Sequence, residues 1–308
     1  LNTSKMSKDN IAYGGQAVIG GVLIQSPKGW SLAVRDQKNQ LHNYFEARIP
    51  LTQRDGIWKQ PLIRGVGALA DSLYVGYKGI SLSDTLYYGE QEEETLFNKI
   101  TNTLLIVTIL SLLIVGPRLL IDLLDLSQAN KGFAEGILRG SIVITYIYLV
   151  GKTKDAQELF EYHGAEHMTI ASFEADKSLQ VENIKKYPKE HIRCGTAFIF
   201  LIVFVSLLTL PFIPTLNILL TLITRLLHVF VVAMISYEIL KFNFKNSDSL
   251  ISKIFSTPGI WTQKITTKNP SDEQIEVAMI SMANCIKYSE DNDEFDELLS
   301  TSKELKNG

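Results

Sequence analysis

Two histidines four residues apart flank a glutamate in Phe160–Ile170, FEYHGAEHMTI, in a chain of 308 residues with five histidines in all. On a helix, His163 and His167 project from one face one turn apart, with Glu166 beside them. Two imidazoles at this spacing hold one side of a zinc ion. The pattern H-x-x-E-H is that of the inverted zinc-hydrolase motif, whose glutamate is the general base. Neutral imidazole binds a borderline-soft metal without cancelling its charge. The metal makes water acidic enough to lose a proton near neutral pH, and a carboxylate accepts that proton. Gly164 and Ala165 leave such a metal uncrowded. Two interfacial histidines paired with Glu161 or Glu166 would give the same pattern with no metal.

A second half-site follows. His191 and Cys194, in KEHIRCGTAF, are three apart, which is metal-ligand spacing. His163, His167, His191 and Cys194 together would close a tetrahedral, structural site, whereas three ligands and an open position would be catalytic. An interfacial histidine beside a small buried thiol is the plainer account of that pair, and a Cys194 nucleophile activated by His191 is a third. Glu238, in MISYEILKF, falls 71 residues after His167 and offers a carboxylate ligand from another helix. The leading assignment makes His163 and His167 ligands, Glu166 the base, Glu238 or His191 the third ligand, and places Cys194 near the site.

The elements that must position these residues are mostly apolar. Cys194–Thr224 is a run of 31 residues without a charge, and Ile100–Pro117 is a second uncharged run. A bilayer span needs about 20 mostly apolar residues. Four spans are expected, at about 100–121, 135–151, 195–213 and 216–240, with Pro211 and Pro214 marking the last turn and half-length hairpins as the alternative. Lysine and arginine set the topology. The segment 152–193 carries Lys152, Lys154, Lys177, Lys185, Lys186, Lys189 and Arg193, whereas the connections 122–134 and 214–216 carry only Lys131. Both termini and residues 152–193 are therefore expected in the cytoplasm. Arg225 and His228 share a face inside the last span, and Arg225 is expected to pair with Asp122 or Asp125.

The fold class expected is an α-helical integral membrane protein with a small N-terminal β-rich cytoplasmic part, α+β overall. Residues 1–99 form a cytoplasmic region, 100–240 the membrane domain, and 241–308 a cytoplasmic helix and acidic tail. GWSLAVRD and LHNYFEARI alternate as a hairpin, and YGGQAVIGGV reads as a strand. From Pro61, Leu62, Val66, Leu69, Leu73, Tyr77 and Ile80 recur at helical spacing, on a glycine-rich helix that needs packing or an interface to form. Glu90–Glu94 is a solvated linker. Ser271 with Gln274 makes a capping box for a tail helix carrying Ile275, Ala278, Met279, Met282 and Ile286 on one face. The start LNTSKMSKDN has no apolar core, so no cleavable signal peptide is expected. A net charge of −3 gives no reason to expect nucleic acid, and two cysteines make no disulfide framework.

GGQAV, PLIRGVGALADSL, FEYHGAEH, RCGT, SYE and PGIWTQKITTKNPSDEQIEVA, in order from about Tyr13 to Met282, resemble the YqhQ-like family of bacterial membrane proteins, which has plastid relatives. That resemblance implies a metal-dependent bacterial membrane enzyme without an established substrate, while the histidine spacing makes Zn2+ the cofactor expected. It puts His163, Glu166, His167, His191, Cys194 and Glu238 at motif positions. The family usually reads GGQAVIEGVMM, with a glutamate where this chain has Gly20. A zinc hydrolase at the cytoplasmic membrane boundary is the leading expectation, its partners being membrane lipids and a peptide or lipid-linked substrate. A non-catalytic assembly or partner-binding factor with a structural metal is the alternative, and a transporter the third.

Overall fold

A computed structural model describes residues 13–89, 95–176, 178–191, 194–213, 217–246 and 249–290. The N-terminal decamer, the Glu90–Glu94 linker, Lys177, Arg193, Pro214 and the acidic tail lie outside the described residues.

Four strands open the fold: β1 (Gly14–Val18), β2 (Gly21–Ser26), β3 (Gly29–Arg35) and β4 (Leu41–Ala47). They form one antiparallel meander in sequence order. The expected hairpin is β3–β4, with Arg35 opposite Leu41. The glycine-rich entry is two strands rather than one, because Ile19 and Gly20 make a tight turn between Val18 and Gly21. Gly20 has φ +62°, and a Cβ there would overlap the Tyr87 ring, so a side chain at this position needs both a strained backbone and a displaced tyrosine.

The period-2 pattern buries both faces of the sheet. Leu23, Trp30, Leu32 and Val34 pack under α1 (Ile63–Tyr88), against Val75. Val22, Ile24 and Ala33 face a larger core built from α4 (Lys154–Asp176), the single turn α5 (Val181–Ile184) and α9 (Asp272–Glu290). Three segments distant in sequence, the N-terminal strands, 154–184 and the C-terminal helix, thus share one core.

The large apolar residues of the α1 repeat lie on its outer face. Leu73, Tyr77 and Ile80 are exposed, Tyr77 by 77%, while Gly65, Gly67, Asp71, Val75, Gly79 and Ser83 are buried. Small side chains let the backbone approach the sheet and a neighbouring helix closely, and the large apolar ones are left outside.

The four apolar stretches are all helical: α2 (Leu96–Asp122), α3 (Gln128–Val150), α6 (Gly195–Thr209, extended by a 3₁₀ turn at Leu210–Phe212) and α7 (Ile218–Lys245). Thr95, Ser127 and Asn217 cap three of them, each accepting a backbone N–H three residues on. Three are long and apolar enough to cross a membrane, over Leu96–Leu113, Gln128–Val150 and Leu219–Asn243. In the fourth, the described apolar part is Phe200–Phe212, and Pro211 sits where the α-helix gives way to the 3₁₀ turn. Inside this group Arg225 pairs with Glu135 rather than with Asp122 or Asp125, because Arg118, on Asp122's own helix, holds that carboxylate at 2.8 Å. A last helix, α8 (Leu250–Thr266), runs from the end of α7 back to α9.

Candidate metal centre

The helix α4 carries His163, Glu166 and His167, and its buried face looks into the core under the sheet. It is held there by its neighbours. Lys268 N–H donates to the Phe160 carbonyl at 2.8 Å, and Gln274 Nε2 donates to Glu161 at 3.0 Å. Gln274 also completes the expected capping box, accepting from Ser271 N–H at 2.8 Å while Ser271 Oγ accepts from Gln274 N–H at 3.3 Å. Gly164 lets the Lys268 carbonyl lie against α4, and a Cβ there would overlap that oxygen.

The two rings sit 4.4 Å apart between centroids, as their spacing predicts. His163 Nδ1–H donates to the Thr266 carbonyl at 2.8 Å, and His167 Nδ1–H donates to the Lys189 carbonyl at 2.5 Å. A carbonyl only accepts, so in both rings the proton is on Nδ1 and the lone pair on Nε2. His163 Nε2 meets Cys194 Sγ at 3.1 Å. One ligating atom from each of His163, His167 and Cys194 lies within 4.8 Å of the others. Backbone carbonyls that fix the tautomer of each ring are the outer-shell partners found at metal-binding histidines.

Glu166 lies beside this trio rather than in it. Its Oε2 is 3.4 Å from His167 Nε2, and both atoms are buried with no hydrogen-bond partner. Glu166 is 3% exposed and His167 2%. Burial pushes the Glu166 carboxyl up to about 7, with His163 and His191 pulling the other way. Burial also holds the His167 imidazole below its usual range, so the ring is neutral and able to ligate. Two imidazoles and a cysteine sulfur, with the orphaned Glu166 Oε2 beside them, fit a zinc ion with three protein ligands and a fourth position left over.

The remaining candidates stand apart. His191 faces Glu174 at 3.6 Å, with its ring 5.8 Å from that of His167. Gln263 pins its backbone on both sides, accepting from His191 N–H at 2.7 Å and donating to the His191 carbonyl at 2.8 Å. Glu238 is not a third ligand here. Arg64 grips it through two nitrogens and Leu62 N–H donates to it at 3.1 Å, because this end of α7 packs on α1. The third potential donor beside the two rings is Cys194 Sγ. Gly20 sits in the turn beyond the end of β1, whereas Gly15, near the other end of that strand, is the residue whose Cβ would touch Glu166.

Sequence reading missed Gln263, Thr266 and Lys189. The last two act through backbone carbonyls, which no side-chain pattern signals. Gln263 falls inside the stretch PGIWTQKITTKNPSDEQ already singled out by resemblance.

A family profile described as "Protein of unknown function (DUF1385)" matches residues 60–288. "Uncharacterized protein YqhQ" of Bacillus subtilis (strain 168) is 30% identical over 303 residues, spanning 92% of this chain and 95% of that one. No solved structure matches the chain. A chain so matched along nearly its whole length, with the histidine pair and the Cys194 region inside the profile, belongs to the YqhQ-like DUF1385 family.

Proposed function

We propose that this chain is a membrane-embedded zinc-dependent hydrolase with its site at the cytoplasmic boundary of the bilayer. The observation that carries the reading is the convergence of His163 Nε2, His167 Nε2 and Cys194 Sγ, with the unpartnered Glu166 Oε2 adjacent but outside the trio. Zinc bound there supplies Lewis-acid polarisation of a substrate oxygen or of water. The Thr266 and Lys189 carbonyls orient the two rings. Glu166 Oε2 takes the proton of an attacking water and hands it to the leaving group. The apolar core around α4 keeps bulk water from competing.

The bilayer reading rests on the length of α2, α3 and α7 and on the apolar side chains they expose, among them Leu104, Leu105, Ile106 and Leu112. The lysine-rich 152–193 segment argues for the cytoplasmic side. A site at that depth suits peptide or lipid-linked substrates. A second reading, a structural metal that staples the fold, draws support from the burial of the donors and from the three chain segments they and their partners join: α4, the 189–194 stretch and the end of α8.

Metal content and rescue of a deletion strain test the pair of readings together. The enzyme reading expects Glu166→Gln to keep its metal and fail to rescue. Full rescue by Glu166→Gln would leave the staple as the better account, and a wild-type chain purified without metal would overturn both.

A further inference from the structure

The apolar helices enclose a second polar cluster, separate from the histidines. Glu135 on α3 is 0% exposed. It accepts from Arg225 of α7 at 2.8 Å and from Arg139, one turn along α3, at 2.8 Å, and Arg118 of α2 lies at 3.9 Å. Asp122 takes Arg118 at 2.8 Å and Lys131 at 3.2 Å. Among these six side chains four are cations and two are carboxylates. Arg225 is 1% exposed as a residue, and its Nε and Nη1 are buried with no hydrogen-bond partner. Ionised groups buried in an apolar bundle are costly and mark binding or transport sites.

A cavity of about 230 Å³ adjoins this network, lined by residues of all four apolar helices. Its walls are largely aliphatic, with Ile142, Val203 and Val232 among them, and three polar side chains enter it: Arg139, Ser206 and His228. Arg139 connects the cavity to the ion network through Glu135. His228 is held by Thr209, whose hydroxyl donates to the Val205 carbonyl at 2.7 Å and accepts from His228 Nε2–H at 2.7 Å. Leu113 and Val229 at the rim are exposed on the outer surface of the helices, so the cavity opens sideways. The lining residues of α3, α6 and α7 sit near the middle of each helix, which is mid-depth if these helices cross a bilayer.

We propose that this cavity binds one hydrocarbon chain of an anionic amphiphile, with its carboxylate or phosphate on Arg139 and its chain along the aliphatic walls. Arg139 brings a guanidinium to the cavity wall and calls for an anion, whereas the other walls call for hydrocarbon, and an amphiphile supplies both. An apolar cavity of about 150 Å³ holds a benzene-sized molecule, so this one admits a chain segment and excludes a two-chain lipid. The proposal rests on the bilayer reading above and on no property of the histidine site.

The test uses the purified full chain in nonionic detergent with a long-chain fatty acid carrying a mid-chain diazirine. Photolabelled residues are mapped by mass spectrometry. Labelling is expected at Ile142, Val203 and Val229, displaced by unlabelled fatty acid and by an alkyl phosphate but not by inorganic phosphate or the matching fatty alcohol. Arg139→Gln is expected to weaken apparent affinity about tenfold or more, with Arg139→Lys recovering part of it. Val143→Trp, which fills the cavity from its wall and leaves the ion network alone, is expected to abolish labelling at an unchanged melting temperature. Equal displacement by alcohol and acid would overturn the proposal, as would labelling that persists in Val143→Trp. Displacement by inorganic phosphate alone would replace the amphiphile with a simple anion. Recovery of the chain in the soluble fraction would overturn the bilayer reading along with it, whereas membrane recovery with scattered labelling overturns this proposal alone.

Discussion

The two buried polar clusters have opposite deficits. Around α4, lone pairs converge: His163 Nε2, His167 Nε2, Cys194 Sγ and the Glu166 carboxylate face one another, while the N–H groups of the rings are spent on backbone carbonyls. Among α2, α3 and α7, guanidinium N–H donors gather around one fully buried carboxylate. Native interiors leave few polar atoms unpaired, so each orphan calls for an explanation. Here the sign of the deficit gives it. On the proposals above, the converging acceptors would hold a cation and the guanidinium cluster an anion. The contrast is open to direct attack.

The largest effect expected is all-or-none. Purified wild type should carry about one zinc per chain by inductively coupled plasma mass spectrometry, and His163→Ala, His167→Ala or Cys194→Ala should carry almost none. Arg225→Met and Glu238→Gln should keep the wild-type value, since neither side chain reaches the trio. Metal loss in Glu238→Gln would break the separation of the two clusters. Copper in place of zinc would sharpen it, because a two-histidine, one-cysteine donor set also suits that ion.

Next in size is the cation-rich cluster. Removing the one buried carboxylate by Glu135→Gln leaves Arg225 with no counterion, and the cost of an orphaned buried charge is about 3–5 kcal/mol. Unfolding in detergent micelles should show it. Adding Arg225→Met to Glu135→Gln should recover part of the loss, while the folded fraction keeps its metal. A double variant no better than Glu135→Gln alone would mean that Arg225 was not the charge being neutralised.

The two clusters also differed in how far they could be read beforehand. H-x-x-E-H is a local pattern on one helix, so the facing rings of His163 and His167 follow from spacing alone. Choosing the third donor required knowing which segments meet at α4. Cys194 arrives there because Gln263 pins the His191 backbone, three residues before it, to α8, and Glu238 is drawn away by Arg64 of α1. Both are long-range packing events with no periodic signature. The ion network was read as a pair with the wrong partner for a different reason: Arg118, one helical turn before Asp122, already holds that carboxylate, a local spacing that was open to reading. The helix α1 was legible as a helix, but its pattern left packing and an interface equally open, and the protein leaves Leu73, Tyr77 and Ile80 uncovered. In a fold where close backbone approach drives packing, the small residues Gly65 and Gly79 turn inward instead.

A third measurement probes the acceptor-rich cluster without its metal. The Glu166 carboxyl is raised from 4.5 to about 7 by burial. The folded chain therefore keeps this proton over a pH range in which the unfolded chain has released it. Stability falls as pH rises from about 4.5 to about 7 and stays low above that. Glu166→Gln removes this loss. Chelator-treated Glu166→Gln should gain on wild type by up to about 3 kcal/mol between pH 5 and pH 8, read from unfolding curves. An equal difference at both pH values would mean that the carboxylate already has a counterion that the metal-free geometry does not show.

The smallest effect tests whether the outer carbonyls matter. A Cβ at Gly164 overlaps the Lys268 carbonyl oxygen, a backbone atom that cannot rotate away. Gly164→Ala must push α4 off the α8–α9 connection, at a cost of about 1–3 kcal/mol from overpacking. The same displacement draws His163 Nδ1 from the Thr266 carbonyl, two residues before Lys268. Loss of such an orienting partner lowers metal affinity by about 10–100-fold. Gly116→Ala on α2, where a new Cβ meets nothing within 4 Å, is the control and should leave affinity unchanged. A zinc titration against a competing chelator separates the two. If Gly164→Ala loses stability but binds zinc as wild type does, the carbonyls merely accompany the rings. If affinity falls with stability, the fit between α4 and the 266–268 strap sets the metal site, and the ligands alone do not.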